Sequence, residues 1–262
     1  MAKDPKTLTL SPTKIDTFYG CRRLFKYTYL SQPFKQKDNK YFVIGNIAHK
    51  VLEDCHKVGM SSKINWRKDA SHFFKKAYAT YKVKEKLKSG MLEPDDVKKI
   101  KMMLKKYIEY IKSLEEPPNV FSVEKLAKIA IGGAVVWLKS DRVDKLGENH
   151  YRVVDYKSGQ VASKKAELAS VQLPSYGIWV RQKIDPDAKV SGMYIYLKEV
   201  DKKKGRHEYE ISEAMMEEAE EKYSNVRKLL SNGCEYSQNF DYKYCFHCDY
   251  KRFCVKDEND EL

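Results

Sequence analysis

Helical spacing of apolar positions comes first along this chain, and strand-like alternation comes later. Ser11-Pro12 reads as a helix start. The serine is the N-cap and the proline takes the first helical position, where its missing N–H costs no bond. That helix should reach about Gly20, and a second should follow through Arg23, Phe25, Tyr27 and Leu30. Ile47, Val51, Leu52 and Cys55 share one face of a helix over 45–58. Residues 64–84 and 94–115, rich in lysine and aromatics, read as two more helices, punctuated by Ser89-Gly90 and Glu93-Pro94. Pro117-Pro118 closes this helical region.

The period then changes. Residues 128–131 and 134–138 alternate on either side of Gly132-Gly133, which predicts a hairpin with a glycine turn. Tyr151 to Tyr156 is the next strand. A helix over 165–180 carries Gln172 and Tyr176, four apart and so on one face, with Pro174 bending it or sitting near its start. Residues 192–200 and 207–211 read as a second hairpin around Lys202-Lys203-Lys204-Gly205. Ser212 should cap a last helix over 213–230, closed by Asn232-Gly233. A cysteine segment and an acidic tail, Asp257 to Leu262, follow. No internal repeat is visible. The order predicts an α/β fold: a mixed sheet of about five strands flanked by helices, with an N-terminal helical lobe. The chain reads as one domain over 1–262, with a helical lobe inserted at 60–118 and a cysteine segment at 234–262 that closes onto the N-terminal helix.

Candidate chemistry concentrates between Ser140 and Gly159. Val153-Val154 leads into Asp155-Tyr156-Lys157 and the turn signal Ser158-Gly159. Residues two apart in a strand point to one face, so Asp155 and Lys157 project side by side at a strand end. Asp141, on the preceding strand, brings a second carboxylate; Asp144 is the alternative. Two carboxylates beside a lysine suit a hard cation such as Mg²⁺ or Mn²⁺, which takes oxygen ligands and keeps waters. Such a cation stabilises charge on a phosphate, and the lysine orients or deprotonates the attacking water. The set is equipped to cut a phosphodiester.

Charge sharpens this. A formal net charge of +13 and a pI near 9.2 favour a polyanionic partner, with nucleic acid the default. Tyr19, Arg22, Arg23, Lys26 and Tyr27 interleave rings and cations, a pattern that stacks bases and pairs phosphates on single-stranded DNA, or else packs a core under solvated cations. Lys82, Lys84, Lys86 and Lys88 form a solvated basic face. No G-x4-G-K-(S/T) motif occurs, so an ATP motor is not encoded here. With no secretory or membrane-length apolar run, the chain reads as cytoplasmic.

Six cysteines are too few for a disulfide scaffold at 262 residues. Cys245-x2-Cys248-x5-Cys254, with Cys21 far upstream, fits either a structural zinc ion or a [4Fe–4S] cluster, since both take four thiolates. His247 lies inside the knuckle. Cys55 falls on an apolar helix face and Cys234 near a turn, outside the set.

These residues resemble the PD-(D/E)xK nuclease superfamily, in the branch of the RecB and AddB nuclease domains and the small CRISPR-adaptation nucleases. Val153-Val154-Asp155-Tyr156-Lys157-Ser158-Gly159 matches its (I/V)-(I/V)-D-Y-K-(S/T)-G motif, and Ser140-Asp141-Arg142-Val143-Asp144 its G-x-x-D-R-(I/V)-D motif without the glycine. Gly45 to Glu53 is similar to its G-x-x-x-H-x-x-L-E helix, and Gln172 to Tyr176 to its Q-L-x-x-Y helix. The resemblance implies a restriction-endonuclease-like core. It implies a metal site of His49, Asp141, Asp155 and the Tyr156 carbonyl, with Lys157 acting on the water and Gln172 and Tyr176 beside the scissile phosphate. It also implies that Cys21, Cys245, Cys248 and Cys254 hold an iron–sulfur cluster, with Cys-Arg-Arg at 21–23 replacing the usual Cys-Pro. The implied activity is an exonuclease on single-stranded DNA ends in a prokaryotic or phage-infected cell. Some relatives work inside helicase or integrase assemblies, so a DNA-end-binding subunit is the alternative.

Overall fold

In the computed structural model, which describes residues 4–32, 39–61, 63–239, 245 and 248–254, the alternating region forms one mixed sheet in the order β1-β2-β3-β4-β5. β1 (Val120–Ile131) and β2 (Ala134–Lys145) make a long hairpin. Its turn residues Gly132 and Gly133 have φ of 53° and 73°. A two-residue turn with both φ positive twists as the flanking strands do. A Cβ on Gly132 would also lie 2.2 Å from the Glu220 carbonyl oxygen, so the turn needs glycine twice over. β3 (His150–Lys157) pairs with β2 only through Arg142↔Val154 to Lys145↔Tyr151. It then runs parallel to β4 (Lys189–Tyr196) along its whole length, and β5 (Arg206–Glu210) closes the edge antiparallel.

Helices cover both faces. α1 (Pro12–Gly20), α8 (Gln172–Lys183) and α9 (Glu213–Asn232) pack on one side, where Ile15, Trp179 and Tyr223 meet Val153, Val190 and Tyr194. On the other side α3 (Lys40–Ser61) and α6 (Pro94–Lys112) bring Ile47, Val51, Met103 and Tyr107 against Val154, Tyr156 and Ile195. Adjacent residues Val153 and Val154 thus serve different cores, as the pleat requires. Strands buried on both faces read as continuous apolar runs, which explains the unbroken character of 193–197.

Several elements differ from the sequence expectation. The helix expected over 64–84 is two, α4 (Trp66–Thr80) and α5 (Val83–Lys88), separated at Lys82 with φ 49°. α2 (Arg22–Phe25) is short and continues as a π-helical stretch, Lys26–Ser31, ending at Gln32 in a left-handed conformation. The helix expected over 165–180 also splits, into α7 (Lys164–Ala169) and α8. At the break Asp16 of α1 accepts hydrogen bonds from Ser170 Oγ (2.6 Å) and Val171 N (3.0 Å). This tertiary partner is invisible to local periodicity. The break makes Gln172 the first residue of α8 and puts Pro174 in the first turn, where no intrahelical N–H bond is lost. Ser212 caps α9 by accepting from Met215 N, as its position predicts. The acidic tail and His247 lie outside the described residues. Among those described, no helix is long and apolar enough to cross a membrane.

Candidate active site

The β2–β3 ladder stops at Arg142↔Val154, and the strands fork beyond it. Asp141 sits at the mouth of this fork. Its Oδ2 accepts the Tyr156 backbone N–H (2.7 Å), a donor the diverging ladder no longer serves. Its Oδ1 lies 3.2 Å from His49 Nδ1, which α3 delivers from the opposite layer. His49 loses some basicity to burial, but the Asp141 hydrogen bond and the charges of Asp141 and Asp155 more than restore it, leaving its pKa above the ordinary value.

Asp155 is 5% exposed on the α8 side. Its Oδ1 accepts from Gln172 Nε2 (2.7 Å) and lies 3.2 Å from the Tyr176 hydroxyl. Its Oδ2 is 2.7 Å from Lys157 Nζ, which also donates to Gln172 Oε1 (2.8 Å). The single Tyr176 hydroxyl hydrogen is shared with the Lys139 carbonyl, 2.9 Å away. Burial raises the Asp155 pKa and the Asp141 charge adds to this, while Lys157 and His49 pull against them. Gln172 thus clamps Asp155 and Lys157 together. The Asp16 cap at the α7–α8 break holds Gln172 at that helix start.

Asp144 does not join the site. It is 1% exposed and forms a two-pronged pair with Arg142, with Nε 2.8 Å from Oδ1 and Nη2 donating to Oδ2 at 2.9 Å. Arg142 Nη1 also donates to the Tyr107 (2.5 Å) and Tyr156 (2.8 Å) hydroxyls and lies 3.0 Å from His56 Nε2. Arg142 and Asp144 share a strand face directed into the α3–α6 core, whereas Asp141 points the other way.

One residue at the site escaped sequence reading. Glu124 of β1 lies between Val123↔Arg142 and Lys125↔Ser140 in the ladder, directly opposite Asp141. Ligand atoms of His49, Glu124 and Asp141 all lie within 4.8 Å of one another. An imidazole nitrogen with carboxylate oxygens fits a divalent cation of the Mg²⁺ or Mn²⁺ type. The signal was available in the sequence: in a regular ladder, counting outward from the Gly132-Gly133 turn puts a glutamate across from Asp141.

The remaining expected residues sit at the junction of the chain ends. Asn239 Nδ2 donates to Gly20 O (2.7 Å), Arg23 N to Ser237 O (3.1 Å), and Arg23 Nε to Tyr236 O (3.0 Å). Lys26 Nζ stands 5.9 Å from the Tyr236 ring centre and Arg22 lies 5.2 Å over the Phe18 ring. Tyr19 is exposed and bonded to Asn225. Tyr27, for which base stacking and core packing were the two alternatives, is buried with its ring 5.4 Å from that of Tyr250, as the core-packing alternative has it. Cys21 caps α2, its Sγ accepting from Leu24 N. Burial raises the Cys248 pKa, and Cys21 and Cys245 are close enough to raise it further. Among the described residues, no three cysteines bring their sulfurs within 4.8 Å. Cys55 is a core thiol, its pKa pushed by burial up to about 12.

The chain belongs to the PD-(D/E)XK nuclease superfamily, whose family model matches residues 9–255. Its fold is that of a candidate exonuclease from Eubacterium rectale, at a TM-score of 0.53 and 10% identity, covering 94% of this chain and 87% of that one. A second solved structure, SSO0001, aligns over 92% of this chain and 94% of its own at 14% identity, but its TM-score of 0.34 carries no weight. No curated protein sequence matches. The restriction-endonuclease-like core is therefore established, and nucleases of this superfamily use divalent metals at a site of this kind.

Proposed function

We propose that the protein is a Mg²⁺- or Mn²⁺-dependent deoxyribonuclease that degrades single-stranded DNA from an end. The observation that carries this reading is the convergence of His49, Asp141, Asp155 and Lys157 at the β2–β3 fork. His49, Asp141, Asp155 and the Tyr156 carbonyl would hold the cation, which when bound would supply Lewis acidity at the scissile phosphate. Lys157, steadied by Gln172, positions the attacking water and offsets the negative charge that builds on the phosphate. Gln172 and Tyr176 present polar groups to the substrate backbone at the start of α8.

A strip leading to the fork supports a single-stranded substrate. On one hairpin face β2 presents Trp137, Lys139 and Asp141, and β1 presents Lys128, Leu126 and Glu124 opposite them. Trp137 is 41% exposed, with Lys128 Nζ 6.0 Å from its ring centre. Together with Ser11, Leu126, Gln172 and Tyr176 it lines a cleft of about 250 Å³. An exposed indole among lysines stacks an unpaired base, which a duplex does not offer. The test is digestion of end-labelled single- and double-stranded oligonucleotides and of circular single strands in Mn²⁺. Stepwise loss from single-stranded ends is expected. Cleavage of the circle overturns the end requirement, and a preference for duplex overturns the strand assignment.

We propose further that Cys21, Cys245, Cys248 and Cys254 hold a metal centre joining the two ends of the chain. A tetrahedral zinc site brings its thiolates to about 3.8 Å from one another. Cys245-x2-Cys248-x5-Cys254 with Cys21 upstream fits either metal centre, and the resemblance to the iron–sulfur branch of the superfamily favours a [4Fe–4S] cluster over zinc.

A further inference from the structure

We propose that Glu124 supplies a carboxylate to the same cation as His49 and Asp141, and that Lys139 competes with the cation for it. This rests on the metal-site reading above and adds a ligand from a different strand.

Position is the first argument. Glu124 stands across the hairpin from Asp141, and its carboxylate comes within 4.8 Å of the ligand atoms of both Asp141 and His49. Two carboxylates directly opposed in an antiparallel ladder repel each other. Lys139 beside Glu124 and His49 beside Asp141 supply part of the compensating charge, and a cation between the carboxylates would supply the rest. Backbone is the second argument. Glu124 has φ 50°, a left-handed conformation that a residue with a Cβ adopts only at a cost of about 1–3 kcal/mol. Burial is the third. The Glu124 side chain is 9% exposed, whereas Lys139, its ion-pair partner, is 55% exposed.

The Lys139–Glu124 ion pair alone explains less. Its lysine is more than half exposed, so water screens the pair and it contributes only about 0–1 kcal/mol. That does not offset a strained backbone and a largely buried carboxylate facing another one. A cation shared by Glu124, Asp141 and His49 accounts for all three features at once. Lys139 is then a mobile countercharge on the solvent side of Glu124. Its removal leaves the carboxylate fully available to the metal. Affinity of oxygen-ligand sites rises with the number of charged ligands, so Glu124 strengthens binding.

The test is a Mn²⁺ titration without DNA, read by the electron paramagnetic resonance signal of free Mn²⁺, on the full-length protein and on Glu124→Gln, Lys139→Met and Asp141→Asn. Glu124→Gln should weaken binding by at least about tenfold, and Lys139→Met should tighten it. Wild-type affinity in Glu124→Gln together with loss in Asp141→Asn overturns the Glu124 assignment and leaves the underlying site intact. Unchanged affinity in both overturns the metal site itself. Weakened binding in Glu124→Gln with no change in Lys139→Met keeps the ligand and removes the competitor. Circular dichroism melts of each variant separate ligand loss from unfolding.

Discussion

Two aspartates three residues apart should fail in opposite ways. Asp144→Ala removes the partner of Arg142, a guanidinium that is 2% exposed and enclosed by Tyr107, Tyr156 and His56. Breaking a buried pair by deleting one member leaves an uncompensated charge and costs about 3–5 kcal/mol. The remaining neighbours offer hydroxyl and imidazole dipoles but no carboxylate, so the upper part of that range applies. For a domain of this size each kcal/mol lowers Tm by roughly 2–4 °C, so a cost of about 4–5 kcal/mol gives a drop of about 8–20 °C. Asp141→Asn, by contrast, keeps an oxygen to accept the Tyr156 N–H and sits at a half-open fork. It should shift Tm by under about 2 °C and lose metal-dependent cleavage by more than about 10²-fold. The assay is thermal unfolding by circular dichroism on both variants, paired with cleavage of labelled DNA at a temperature where both are folded. A wild-type melt for Asp144→Ala refutes the buried-charge argument. An inactive but stable Asp144→Ala beside an active Asp141→Asn reverses the assignment of the two residues.

Other outcomes follow from the same geometry. Burial and the neighbouring Arg142 hold the His56 pKa well below 6.5, so the unfolded chain takes up a proton that the folded one does not. His56 therefore costs no stability above about pH 6.5, and stability falls by about 1.4 kcal/mol per pH unit as pH drops below it. Denaturant titrations from pH 7 to 5 should show His56→Gln losing that one-proton slope; equal slopes in both proteins refute the buried neutral imidazole. Protein purified without oxygen should be brown, and serine at Cys21, Cys245, Cys248 or Cys254 should lower iron content and Tm together, while serine at Cys55 leaves the iron unchanged. Colourless protein carrying one zinc refutes the cluster. DNA binding should weaken log-linearly with salt because a +13 chain displaces counterions from phosphates, and a flat response removes charge from the account.

The parts of the fold legible in the sequence were those governed by local rules. The Gly132-Gly133 turn, the Ser11 and Ser212 caps and the two-residue spacing of Asp155 and Lys157 all follow from backbone geometry. What stayed hidden depended on contacts distant in sequence. The break before Gln172 is held by Asp16, which lies 155 residues from its partner Val171. Tyr27 lies among cations in the sequence, yet the C-terminal segment buries it. Asp141 and Asp144 are chemically alike, and only the side of the strand each occupies separates a site residue from a core ion pair. Glu124 was obscured because strand length beyond the glycine turn decides whether it reaches Asp141. The alternation visible at 128–138 stops short of that point.

The central claim, that the β2–β3 fork is a metal-dependent phosphodiesterase centre, is tested most directly by one comparison. Wild-type protein and Lys157→Met, matched for fold by circular dichroism, are incubated with end-labelled single-stranded DNA in Mn²⁺ and in EDTA. The site predicts cleavage by wild type in Mn²⁺, none in EDTA, and a loss of more than about 10²-fold in the variant, which keeps the apolar stem but lacks the charge beside Asp155. Cleavage that persists in EDTA, or a Lys157→Met protein as active as wild type, contradicts it.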